Sequence, residues 1–216
     1  APTIGAAPDD AVVTCGADFT CGTVTWSPSD DPFLGNKQYT AEVTLTANSG
    51  HTFDAGMTAT INGGVATVNV STDGSTATLL YQFAATGVAT VNSITIQSQP
   101  TGLTYTDGSR LNLSGLVVTL AYNDGTTKDV SIADFGANGL TTDPANGSIL
   151  RSAQNGVAVA VIYNNNPAIQ AATSPLMIGA RAGGANLAIP TLNPAALMLL
   201  ALSIMAVASG IGRRRR

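Results

Sequence analysis

The run Tyr39-Thr40-Ala41-Glu42-Val43-Thr44-Leu45-Thr46 decides the fold. Apolar and polar residues alternate without a break, so a strand places Tyr39, Ala41, Val43 and Leu45 on one face and Thr40, Glu42, Thr44 and Thr46 on the other. A helix would split the same apolar set between opposite sides. The alternation returns at Ala77, Leu79, Tyr81 and Phe83. Turn signals separate the runs: Pro28 to Pro32, Asn48-Ser49-Gly50, Asn62-Gly63-Gly64 and Asp73-Gly74. Short strands at this spacing predict a sandwich of two antiparallel sheets for a first unit, residues 1–88.

A second unit, residues 89–178, repeats the plan. Ile94 and Ile96 lead into Gln99-Pro100, and Val118, Leu120 and Tyr122 alternate up to Asn123-Asp124-Gly125, a sequence that favours a primed hairpin turn. Val130 and Ile132 lie on the return strand, and Val157, Val159, Val161 and Tyr163 share one face of a later one. The intervening stretch, 134–154, is loop-rich with room for one short edge strand. The fold class expected is all-β: two tandem β-sandwich units, then a C-terminal transmembrane helix.

Composition points the same way. Only 10% of the 216 residues are charged, whereas threonine occurs 28 times, so strand formers outweigh helix formers. Residues 1–212 carry 13 acids against 5 bases, a net charge of −8, and the only basic cluster is Arg213, Arg214, Arg215 and Arg216. Nucleic acid is therefore not an expected partner, because phosphate contacts need clustered Lys and Arg.

Cys15 and Cys21 frame five residues. Two short strands joined by those residues would bring the sulfurs face to face, as a cross-strand disulfide requires. Closing so small a loop contributes about 2 kcal/mol, enough to pin one hairpin. The pair has no second pair for a metal, and the one histidine, His51, lies in a turn. It also lacks the two-residue spacing that goes with a redox-active thiol.

The tail reads as a membrane segment. Asn193 suits a helix N-cap and Pro194 the first helical position, and the run from Ala195 to Ile211 is uncharged and apolar. A helix over 194–212 is about 28 Å long, enough to cross a hydrocarbon core. The arginines at 213–216 orient it with its C-terminus in the cytoplasm, so everything before it is exported across the inner membrane. Small residues such as Ala201, Ser203 and Ala206 permit close approach of another helix. The Gly- and Ala-rich stretch 179–188 serves as a flexible linker.

The order Ile189-Pro190-Thr191-Leu192, apolar helix and arginine cluster resembles the sorting signals read by bacterial exosortase-type membrane transpeptidases, of the type named for the Ile-Pro-Thr-Leu motif. That family commonly has Trp-Gly two residues after the motif, where this chain has Ala195-Ala196. The resemblance implies that residues 189–216 are an address cut near the motif, with the exported part released or passed to the cell surface. Without processing, the same residues form a permanent single-span anchor. A second resemblance lies in Gln99-Pro100-Thr101, Leu103, Tyr105, Gly108, Leu111 to Leu116, Val118, Tyr122 and Asp124-Gly125-Thr126-Thr127, which look like a bacterial immunoglobulin-like (Big-type) domain. The first unit is similar to another bacterial surface repeat through Gly22 to Pro28, Tyr39-Thr40-Ala41 and Gly50-His51-Thr52-Phe53. His51 stands where those relatives have tyrosine.

No catalytic residue is expected. A Ser-His-Asp arrangement would have to recruit His51 from a position that the repeat gives to an aromatic. Asp30, Asp31, Asp73, Asp107, Asp124 and Asp143 read as turn residues whose carboxylates bond their own backbone. No metal or cofactor is expected, with calcium in a loop between the units as the alternative. Trp26 reads as a core residue, and as a sugar-stacking platform otherwise. The chain opens at Ala1 with no basic start or apolar leader, so it reads as the C-terminal part of a longer secreted precursor. The function expected is a non-enzymatic surface protein, a spacer or adhesive stalk whose partners are the processing enzyme, the inner membrane and a surface ligand. The alternatives are a carbohydrate- or protein-binding adhesin module and the accessory end of a larger exported enzyme.

Overall fold

Seven strands make up the first part of the structure: β1 (Phe19–Cys21), β2 (Thr25–Ser27), β3 (Thr40–Ala47), β4 (Thr60–Ile61), β5 (Gly64–Val65), β6 (Thr67–Val70) and β7 (Thr76–Gln82). The structure is a computed structural model that describes residues 1–11 and 15–181. The alternating run becomes β3, the centre of a five-stranded antiparallel sheet in the order β1-β3-β7-β6. Strand β2 shares the β1 edge of β3, with Cys21 opposite Leu45 and Ser27 opposite Thr40. Strand β7 runs along the other edge and sets Val43 against Leu79 and Leu45 against Ala77.

The predicted faces are the observed ones. Tyr39, Ala41, Val43, Leu45, Ala77, Leu79 and Phe83 are all buried, while Glu42, Thr44 and Thr46 face solvent. Val43, Leu45, Ala66, Ala77 and Leu79 form an aliphatic core against which Phe19, Phe53, Met57 and Ile61 pack. At the other end of the same face the rings of Trp26, Phe33, Tyr39, Tyr81 and Phe83 meet at centroid distances of 4.7 to 5.6 Å. Trp26 is thus part of the packing, and its Nε1 donates to the Asp9 carbonyl at 2.9 Å. The buried Tyr39 hydroxyl donates to Asp30 Oδ2 at 2.7 Å and accepts from the Leu34 amide at 2.8 Å.

The first unit departs from the expected pair of sheets. Among the described residues, only segments of loop and the two-residue strands β4 and β5 stand opposite the five-stranded sheet. Their turn holds Asn62 at φ 48° and Gly63 at φ 80°, the left-handed pair that a primed turn requires. Alternation reports that one face of a strand is buried. It does not report whether a sheet or a loop buries it.

Residues 91–179 hold β8 (Val91–Ser98), β9 (Thr104–Thr106), β10 (Val117–Tyr122), β11 (Thr127–Ser131), β12 (Leu140–Asp143), β13 (Ala158–Tyr163), β14 (Gln170–Pro175) and β15 (Met177–Gly179). They form two three-stranded antiparallel sheets, β11-β10-β8 and β12-β13-β14, and a parallel pair, β9 with β15. The two sheets share one core: Ile94, Val118, Leu120 and Val130 from the first meet Leu140, Val159 and Val161 from the second. Leu111, Leu113 and Leu116, contributed by the loop before β10, fill the same core. The short strand expected in 134–154 is β12, an edge strand paired to β13. Val157 lies outside β13 and is 49% exposed.

The turn at Asn123 to Gly125 is not primed. Tyr122 and Thr126 close a three-residue loop in which Gly125 alone has positive φ, 81°. Primed turns suit two-residue loops, and a third residue is taken up here by a left-handed glycine. The cysteines differ from expectation in their setting. Their Cα atoms are 6.0 Å apart, as a disulfide needs, but only Cys21 lies in a strand.

Leu116 has no exposed surface, so Leu116→Ala should lower stability by about 3 kcal/mol. Glu42→Gln, on the solvent face of β3, should change it by less than about 0.5 kcal/mol. Urea unfolding of the two variants checks both values.

Candidate functional site

Between β7 and β8, within the single compact body formed by Ala1–Gly179, the segment 86–90 meets the loop at 34–37 and the β10–β11 turn. Thr86, nearly buried, accepts the Lys37 amide at 3.0 Å and donates to the Leu34 carbonyl at 2.6 Å. The Asn36 amide donates to the Gly87 carbonyl at 2.7 Å. Beyond it the Thr90 amide donates to Asn123 Oδ1 at 2.9 Å, and the Asn123 amide to the Thr90 carbonyl at 3.0 Å. The tip of the β10–β11 hairpin is thereby brought to the loop at 30–37.

Asp124 closes this junction. It is 4% exposed, and one carboxylate oxygen accepts from the Thr126 amide at 3.0 Å and from its hydroxyl at 2.6 Å. The other accepts from the Gly35 amide at 3.1 Å, across 89 residues of chain. The Thr126 hydroxyl, then the amides of Gly35 and Thr126, hold the carboxyl below its ordinary pKa of 3.8, against the cost of burial. Two glycines permit the approach. A Cβ on Gly35 would stand 2.6 Å from the Ala89 nitrogen, and one on Gly5 would collide with the Asn123 carbonyl oxygen. The arrangement supplies mechanical coupling, with the carboxylate acting as an acceptor.

The first unit also carries a cleft. About 490 Å³ of space lies over the inner face of its sheet, floored by Val43, Leu45 and Leu79 and walled by Phe19, Met57 and Ile61. A smaller depression of about 290 Å³ shares Phe19 and Met57 with it and is otherwise lined by Asp18, His51, Phe53 and Asp54 among others.

The acids divide into two groups. Asp73 and Asp124 bond their own turns as expected; three hydrogen bonds, the Ser71 hydroxyl first, bring Asp73 down to about 2. Asp30 instead takes Lys37 Nζ at 2.8 Å and the Tyr39 hydroxyl, and these two bonds lower its pKa. One carboxylate oxygen of Asp107 is buried without a partner among the described residues, and Asp143 lies within β12. His51 is exposed, with Nε2 3.7 Å from Asp18 Oδ1. Among the described residues no three acidic, histidine or cysteine side chains gather into a metal site, at the junction or elsewhere.

The expected sorting motif (Ile189 to Leu192), the expected helix over 194–212 and Arg213 to Arg216 lie outside the described residues. Among the described residues no helix is long and apolar enough to cross a membrane. Compared with known proteins, the chain matches no family model and no curated sequence.

A carboxyl whose folded pKa lies below its unfolded value contributes stability above that value and loses it as the pH falls through the folded one. Near neutral pH, Asp124→Ala should therefore cost about 1 to 3 kcal/mol in urea unfolding. The gap between parent and variant should close as the pH is lowered through and below 3.8.

Proposed function

We propose that this chain is a non-enzymatic, exported cell-surface protein that works as a spacer or stalk. Its second unit is a bacterial immunoglobulin-like domain and its first another bacterial surface β repeat. The structural observation that carries this reading is the junction: a hairpin tip of one unit is tied by a buried carboxylate to a loop of the other. Such coupling suits a part that must transmit position or load. Two β cores that bury the inner faces of β3 and β10 fit the same role.

The destination is read from the tail. Ile189-Pro190-Thr191-Leu192 followed by the apolar run and four arginines forms an exosortase-type sorting signal. The enzyme that reads it is a membrane transpeptidase, and the Gly- and Ala-rich composition of 180–188 suits a linker between the motif and the folded part. Cleavage near the motif then releases the exported part or transfers it to the surface.

Intact-mass measurement on the exported protein from its native host tests the proposal. The parent should lack the mass from about Ile189 onward, and a variant with Pro190 and Thr191 both changed to alanine should retain it. Full-length mass in both, arginines included, would reduce the tail to a retained anchor.

A further inference from the structure

The cleft over the first sheet has a chemistry that the spacer role does not use. Among the described residues, loops rather than a second sheet cover that face, and the space of about 490 Å³ over Val43, Leu45 and Leu79 falls in the size range of small-molecule sites. Its floor is aliphatic, with Thr58, Thr60 and Asn62 among the residues that line the cleft, so an apolar group gains by lying on the floor. The depression next to it is different. Asp18 and Asp54 stand there beside Phe53, whose ring is 5.8 Å from that of Phe19, and among the described residues no lysine or arginine lines either space.

The charge around the site has one sign. Residues 1–88 contain eight acidic residues and a single lysine, Lys37, which is paired with Asp30 at 2.8 Å. Asp18 is mostly exposed, and its nearest partner is the His51 ring at 3.7 Å. A field of this kind draws cations, and an aromatic face beside carboxylates holds them. An anionic head at the same place would meet two carboxylates.

We propose that the first unit binds a cationic amphiphile, with its hydrocarbon portion in the cleft and its positively charged head at Asp18, Asp54 and Phe53. Phe19 and Met57, common to both spaces, form the step between the two. This site is independent of the tail and of the export reading.

The test uses the full-length chain with octyltrimethylammonium, octyl sulfate and octanol below their aggregation limits, followed through the methyl NMR signal of Met57. That signal reports the cleft separately from any binding to the apolar tail. The expected result is a saturable shift with the ammonium and none at equal concentration with the sulfate. Asp18→Lys, an exposed change that leaves the core intact, should weaken ammonium binding about tenfold and admit the sulfate. An unmoved Met57 signal with all three probes would overturn the proposal. So would equal binding of octanol and the ammonium, or an Asp18→Lys variant that binds like the parent, since the head would then not be read.

Discussion

A strand buried on one face must satisfy its backbone on both edges and cover its apolar side at the same time, and β3 meets both demands for the first unit. Three neighbours share its edges, β1 and β2 on one side and β7 on the other. Its inner face carries the aliphatic cluster at one end and the aromatic cluster at the other. The outer face is left to threonine, which satisfies strand geometry without needing burial. Five buried aliphatic residues make a thin core. A small core gains from being tied to a larger one, and the junction at Asp124 provides that tie.

The two units solve the covering problem differently. In the second, two three-stranded sheets enclose one set of fourteen buried residues, and the leucines at 111, 113 and 116 seal it from a loop. In the first, loops and a miniature hairpin do the covering, and the cleft is the consequence. The proposed guest site lies over the same apolar face that stabilises the sheet. The proposed spacer and binding roles are compatible, because the coupling lies at one end of the unit and the cleft over its sheet.

Much of this was legible in the residues. The buried face of β3, that of β7 and the pairing of β10 with β11 follow from alternation and turn chemistry, and Asp73 and Asp124 bond their own turns as their sequence context indicates. The number of sheets in the first unit was not legible, because a period of two is the same whether the covering layer is a sheet or a loop. The primed turn failed for a local reason: Asn-Asp-Gly spans three residues, and the third decides the type. The second bond of Asp124, to Gly35, had no sequence signal, since 89 residues separate the partners.

What the sequence determined by itself is the β class, the faces of the principal strands, the acidic character and the order of motif, apolar run and arginines that makes up the tail. These depend on neighbours along the chain, where spacing and residue type act directly. Only the tertiary structure decided that Gly35 meets Asp124, that β9 pairs in parallel with β15, and that an apolar cleft remains above Val43 and Leu45. Those features arise where segments distant in sequence compete to cover the same surface, and the outcome depends on which of them fits.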